Sequence, residues 1–155
     1  MKYDLVIFDL DGTLMDTSKS ITKTVNSAMK ELGKKQYSAN ECVKFVGGGV
    51  SGLARNILGK EKYEDVTNEE MEKVIRKYYD IYFDYGVEPY EGIPKLLDFL
   101  EQNGVKKGIV TNKDHETALS AVDKKLSKWK FDGIFGSNEK EYPNKPNPYN
   151  VDKMA

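Results

Sequence analysis

Two aspartates stand one residue apart in "FDLDGTL", residues 8–14, directly behind an apolar run. In an extended chain, side chains two residues apart point the same way, so Asp9 and Asp11 can converge at the carboxyl end of a strand. Paired carboxylates repel each other unless one is protonated or a cation lies between them. Both conditions suit phosphoryl transfer. One carboxylate can attack phosphorus, the other can protonate the leaving oxygen, and Mg²⁺ can screen the attack on an anionic substrate. Gly12 allows a sharp turn and Thr13 offers a hydroxyl. The same letters also fit an Asp-Gly turn after a strand, with no chemistry.

The elements that would position these residues are readable from periodicity. "YDLVIFD", residues 3–9, has the apolar centre of a parallel strand buried on both faces, and "GIVTN" (108–112) and "GIFGS" (133–137) repeat the signal. Between the last two, Leu119, Val122 and Leu126 fall on one helical face behind Asp114 as N-cap. "YEGIPKLLDFLEQNG" reads as a further helix, with Pro94 near its start and Gly104 past its end. Strand and helix alternate, which predicts an α/β layer with a parallel sheet.

Residues 16–86 show helical periodicity and no convincing strand. Ile21, Val25, Ala28, Met29 and Leu32 form a stripe closed by Gly33, and "SANE" (38–41) and "TNEE" (67–70) have capping-box spacing. At least three helices are expected. Met71, Val74, Ile75, Tyr78, Tyr82 and Tyr85 follow helical spacing, so the tyrosine-rich "RKYYDIYFDYG" reads as core rather than a ligand platform. The predicted organisation is an α/β core of residues 1–15 and 87–155, interrupted by a helical insertion over 16–86.

Composition narrows the function classes. Twenty-four basic residues against 25 acidic ones, spread along 155 residues, supply no basic stripe for nucleic acid. No apolar run approaches the ~20 residues of a membrane span, and the N-terminal apolar stretch is too short for a signal peptide. A cytoplasmic location is expected. Cys42, the single cysteine, reads as a small buried residue, and His115, the single histidine, as a surface residue.

"DLDGTL" resembles the first motif of the haloacid dehalogenase superfamily in its phosphatase form. That resemblance implies Asp9 as nucleophile and Asp11 as general acid and base. "IVTN" resembles the second motif, assigning the Thr111 hydroxyl and the Asn112 N–H to the substrate phosphate, and "NKPNP" resembles the third, with Lys145 facing the aspartates. "DTSKSITKTVNSAMKELG", "FVGGGVSGLARNIL" and "PYEGIPKLLDFLEQNG" extend the likeness to phosphoglycolate phosphatase-type members across essentially the whole chain. The implied fold is a parallel Rossmann-like sheet with an inserted helical cap. Gly47, Gly48 and Gly49 would then lie on the cap loop facing the substrate, or form nothing more than a flexible turn. Arg55 could meet a substrate carboxylate, though a solvated helix face explains it as well.

The implied activity is Mg²⁺-dependent hydrolysis of a small phosphorylated metabolite through an aspartyl-phosphate, with Asp9 and Asp11 toward the metal. The second aspartate argues against dehalogenation. Sugar-phosphate mutases of the family carry a histidine where this chain has Ile21, which favours hydrolysis. The family's acidic "GDS" loop has no counterpart, because the sequence ends at "VDKMA" and contains no Gly-Asp pair. A fragment of a longer enzyme, a chain complemented by another polypeptide, and a degenerate phosphate-binding module all fit that observation. Weak Mg²⁺ binding and poor turnover by the 155 residues alone are expected, unless Glu139 or Glu141 replaces the lost ligand. "LVIF" is expected at an open sheet edge that invites self-association.

Overall fold

The computed structural model describes residues 2–155, which divide into two compact units: residues 2–16 with Glu88–Ala155, and Thr17–Val87.

The first unit is built on a three-stranded parallel sheet of β1 (Leu5–Phe8), β4 (Lys106–Asp114) and β5 (Gly133–Ser137), in the order β1-β4-β5. Phe8 pairs with Ile109 and Val110 with Phe135, so the carboxyl ends of β1 and β4 lie level. β4 is the central strand and its Ile109, Val110 and Thr111 are buried. β1 is only half-buried along its length, whereas its apolar sequence predicts burial on both faces. The reason is its place: it has β4 on one side and no strand on the other among the described residues.

Helices α5 (Ile93–Gln102), α6 (His115–Leu126) and α7 (Tyr149–Met154) complete this unit. Pro94 lies in the first turn of α5, where its missing N–H costs nothing, and Leu97 and Leu100 are buried. On α6 the buried positions are Ala118, Ala121, Val122 and Leu126, while Leu119 is exposed, so the apolar face is rotated from the predicted one. Asp114 is the N-cap of α6 by position, but its side chain makes no capping bond. Gly108 and Gly133 stand side by side on β4 and β5 because Met154 of α7 lies over them, and a Cβ at Gly108 would collide with its sulfur. The Trp129 indole N–H donates to Asp98 at 2.7 Å, tying the chain after α6 to α5 and holding the Asp98 carboxyl below its usual range. A ribbon absent from the sequence reading, β2 (Met15–Asp16) antiparallel to β3 (Glu88–Pro89), closes the unit where the chain leaves and re-enters it.

The second unit holds four helices, α1 (Ser18–Glu31), α2 (Ala39–Lys44), α3 (Gly49–Glu61) and α4 (Asn68–Tyr82). Both capping boxes form: Ser38 with Glu41 on α2, and Thr67 with Glu70 on α4. The core joins Val25, Ala28 and Met29 of α1 to Leu53, Ala54 and Ile57 of α3 and Met71, Ile75 and Tyr79 of α4. Cys42 is buried within it. Tyr79 is buried in this core, Val74 and Tyr78 pack half-buried against it, and Tyr85, beyond the helix, is exposed. No helix among the described residues is long and apolar enough to cross a membrane.

Candidate active site

Asp9 follows directly on β1, and the chain then folds back tightly. The N–H groups of Thr13, Leu14 and Met15 all turn toward the Leu10 carbonyl, at 3.0–3.3 Å, and the Gly12 N–H donates to the Met15 carbonyl at 2.9 Å. Gly12 has φ +77°, a left-handed conformation that glycine adopts without steric cost, and open space surrounds the missing Cβ. Leu10 and Leu14 are buried, which anchors the loop and leaves Asp9 and Asp11 half-exposed on either side of Leu10. Thr13 is exposed.

Each aspartate has its own lysine. The Lys145 ammonium lies 2.9 Å from Asp9 Oδ1. The Lys113 ammonium lies 3.1 Å from both carboxylate oxygens of Asp11. Sequence reasoning assigned the first lysine and missed the second. A lysine just past an apolar run looks like a surface residue; here it is buried, because in an extended strand it shares a face with the buried Thr111, two residues before it. The Lys113 N–H donates to Thr111 Oγ1 at 3.2 Å.

Asn112 holds the Lys145 loop by two bonds. Its amide Nδ2 donates to the Lys145 carbonyl at 3.0 Å, and its Oδ1 accepts from the Lys145 N–H at 2.9 Å. Two parallel bonds to one peptide fix the lysine's backbone against β4, so the side chain of Asn112 positions Lys145. The same loop is pinned by Tyr142, whose hydroxyl donates to the Gly136 carbonyl at 2.9 Å and whose ring meets Phe135 edge-on. Burial pushes the Tyr142 hydroxyl above its ordinary range and keeps it a neutral donor. His115, read from sequence as a surface residue, is half-buried and accepts the Gly136 N–H on Nδ1 at 3.2 Å, holding β5 to the start of α6. A close approach of the two backbones, which leaves no room for a Cβ at Gly136, makes the histidine structural.

Asp9, Asp11, Thr111, Asn112, Lys113 and Lys145 therefore gather at the carboxyl end of the parallel sheet, where open α/β sheets bind ligands. In the helical unit, Gly47, Gly48 and Gly49 form the link from α2 to α3 rather than the end of a helix, all with positive φ, and Gly48 is the N-cap of α3. The Gly47 carbonyl lies so close over Gly52 that a Cβ there would overlap it. These glycines have a structural reason independent of any ligand. Arg55 is exposed and lines an open groove of about 620 Å³ with Glu41, Lys44 and Lys60. Ile21 is buried in the helical core.

A Mg²⁺ ion needs oxygen ligands in a near-octahedral shell and is bound through one or two carboxylates, substrate phosphate and water. The expected protein ligands are Asp9 and the backbone carbonyl of Asp11, whose carboxylate is held by Lys113. Among the described residues no three His, Cys, Asp or Glu side chains cluster to make a protein cage, and Glu139 and Glu141 do not join the aspartates. Glu139 instead accepts a 2.7 Å bond from Asn144.

Two lysine-paired aspartates at the carboxyl end of a parallel sheet put charged groups where open α/β folds bind ligands. Residues 6–155 match the haloacid dehalogenase-like hydrolase family, to which the chain belongs. It is 36% identical over 134 residues to a phosphoglycolate phosphatase of Aquifex aeolicus, covering 86% of this chain and 61% of the relative. It is 30% identical to the pyrophosphatase PpaX of Halalkalibacterium halodurans, covering 99% of this chain and 68% of the relative. The chain spans between half and two thirds of the length of the two phosphoglycolate phosphatases it matches, from Aquifex aeolicus and Pseudomonas aeruginosa. Among solved structures, a haloacid dehalogenase-like family hydrolase from Streptococcus pneumoniae superposes with TM-score 0.79 at 28% identity, covering 98% of this chain and 68% of that one. A Haemophilus somnus chain at 22% identity shares the fold, with TM-score 0.86 over 99% of this chain and 71% of its own.

Proposed function

We propose that this chain carries the catalytic core of a phosphoric monoester hydrolase of phosphoglycolate phosphatase type, acting on a small phosphorylated metabolite through an aspartyl-phosphate on Asp9. The observation that carries the reading is the Asp9–Lys145 ion pair at the carboxyl end of β1, with Thr111 and Asn112 at the neighbouring strand end. Relatives named as phosphatases and pyrophosphatases support the substrate class.

In the cycle an Asp9 oxygen attacks phosphorus and the bond to the leaving oxygen breaks, while Asp11 gives that oxygen a proton. Asp11 then takes a proton from water as the water oxygen attacks phosphorus, releasing phosphate and the Asp9 carboxylate. Lys145 offsets the charge of Asp9 and the phosphoryl oxygens, and the Thr111 hydroxyl, the Asn112 N–H and the Gly12–Thr13 turn hold the phosphate. Mg²⁺, held by Asp9 and the Asp11 carbonyl, would supply electrostatic screening of the anionic substrate. With so few protein ligands its affinity is weak, and EDTA abolishes hydrolysis until Mg²⁺ is restored.

The helical unit acts as a cap that selects the substrate, with Gly47, Gly48 and Gly49 on its contacting loop. Exchanging residues 17–87 for another member's cap should change which esters are hydrolysed; preference that stays with the core sinks this division. Ile21, in the helical core where a mutase carries histidine, favours hydrolysis over transfer between sugar hydroxyls. The half-buried edge of β1 is a surface for self-association, which concentration-dependent sedimentation tests. A cytoplasmic location fits a single buried, unpaired cysteine.

The test is hydrolysis of phosphoglycolate, pyrophosphate, hexose phosphates and a nucleotide by the wild type and by Asp9→Asn. Turnover that disappears in the variant supports the reading, and equal turnover overturns it. A second reading, a phosphate-binding module without turnover, is favoured by the lack of a three-carboxylate cluster among the described residues. Phosphate binding with no phosphorylation of Asp9 would establish it.

A further inference from the structure

We propose that Lys113 is a positioning residue for Asp11: by holding both carboxylate oxygens it fixes the direction in which that group faces the reacting oxygen. The proposal rests on the reading of Asp11 as the proton-transfer group and deepens it.

The two lysines of the site hold their aspartates differently. Lys145 reaches one oxygen of Asp9, Oδ1, at 2.9 Å, and both side chains are about a third or more exposed, at 31% and 42%. Lys113 is equidistant from the two oxygens of Asp11, at 3.1 Å, with its own side chain 3% exposed and that of Asp11 22% exposed. A grip on one oxygen leaves the carboxylate able to swing about its Cα–Cβ and Cβ–Cγ bonds. A symmetric grip on both removes that freedom. Nucleophilic attack needs one carboxylate oxygen that its lysine does not hold and that can approach phosphorus, whereas a proton relay must point the same way in both half-reactions. The two geometries match those two tasks.

The cost of the arrangement also argues for a role beyond packing. Lysine is among the residues least often buried, and an ammonium removed from water is costly unless paired. A hydrophobic residue would fill the space behind Thr111 without that requirement. The buried lysine is tied to Thr111, whose Oγ1 accepts the Lys113 N–H and which shares its face of β4. Thr111 itself stands at the phosphate-binding strand end, so the orientation of Asp11 is referenced to the strand that holds the phosphate.

The deciding experiment measures the Asp11 side chain directly, by three-bond couplings of ¹³C-labelled aspartate in the full chain, with thermal unfolding recorded alongside. Wild type should show one χ1 rotamer at Asp11, Lys113→Met averaged rotamers, and Lys113→Arg restoration of one rotamer. Unchanged couplings in Lys113→Met would overturn the proposal, whatever happens to its melting temperature. Should Lys113→Met fail to fold, Lys113→Leu, which also has no donor, takes its place with the same criterion. In turnover, Lys113→Met should lose about 100-fold in kcat on alkyl phosphates, which need a proton on the leaving oxygen, but less than about 10-fold on p-nitrophenyl phosphate, with KM within about 3-fold. Equal losses on all esters would also overturn it. Undiminished hydrolysis by Asp9→Asn is a different result: it removes the phosphatase mechanism and leaves the couplings to decide whether Lys113 orients Asp11.

Discussion

In the helical unit, residues such as Met29, Ile57 and Ile75 are sealed together, and ion pairs such as Lys77–Glu31 lie toward its surface. In the α/β unit, two lysines and a threonine are buried along β4 itself, Lys107, Thr111 and Lys113, and the last two stand at the end that meets Asp9 and Asp11. Buried polar groups are costly unless their partners are fixed, so they concentrate where a fixed geometry is needed. The difference is one of charge: among the described residues the helical unit buries only neutral polar groups, Thr17, Ser20 and Thr24, whereas the α/β unit buries lysines, one of them beside Asp11.

The largest effect expected from breaking that contrast is at Asp9. Asp9→Asn retains shape but offers an amide as nucleophile, and ester hydrolysis should fall by at least about 10⁴-fold, with the melting temperature little changed. A steady-state assay on p-nitrophenyl phosphate reads it, and a loss below tenfold would move the nucleophile elsewhere. In the helical unit the corresponding loss is one of stability. Ile57→Ala leaves a cavity in a sealed core and should cost about 2–5 kcal/mol, measured by urea unfolding followed at tyrosines of that unit.

A smaller effect sharpens the contrast within the site. Asn112→Ala removes both bonds to the Lys145 peptide, so the lysine is displaced rather than deleted, and kcat should fall about 10- to 100-fold with a modest change in stability. The smallest effect belongs to the helical surface. Glu41 is held down to about 2 from 4.5, first by the Ser38 N–H, then by the Ser38 hydroxyl and Lys60. Its folded value lies below its unfolded one, so its stabilisation is fully present above about 4.5 and is lost as pH falls through about 2. Glu41→Gln should flatten the melting temperature against pH across that window only.

Periodicity made the helices legible, because Ile21, Val25, Ala28 and Met29 repeat at helical spacing whatever they pack against. The two capping boxes were legible for the same reason: Ser38 with Glu41 and Thr67 with Glu70 are local. Asp9 and Asp11 stood out by type and spacing, and Lys145 through the resemblance of "NKPNP" to a family motif. Lys113 did not: it shares a strand face with Thr111, but a charged residue beyond the apolar run carries no compositional sign of burial. Asn112 was assigned through its backbone N–H, whereas its side chain serves Lys145, thirty-three positions away in sequence. β2 and β3, two residues each, are too short to show any period. Leu119 failed as a core residue because the face of α6 is set by Ala118 and Ala121, small enough to let the helix approach the sheet.

The central claim is that chemistry begins at Asp9, and the most direct measurement is to quench the Mg²⁺-loaded chain in acid during turnover of a reactive phosphoryl donor and map the phosphoryl group by peptide mass spectrometry. An acid-stable, hydroxylamine-labile phosphoryl group on the peptide containing Asp9, absent in Asp9→Asn and prolonged in Asp11→Asn, is the expected result. A phosphoryl group on any other residue, or turnover with Asp9 never modified, would contradict it.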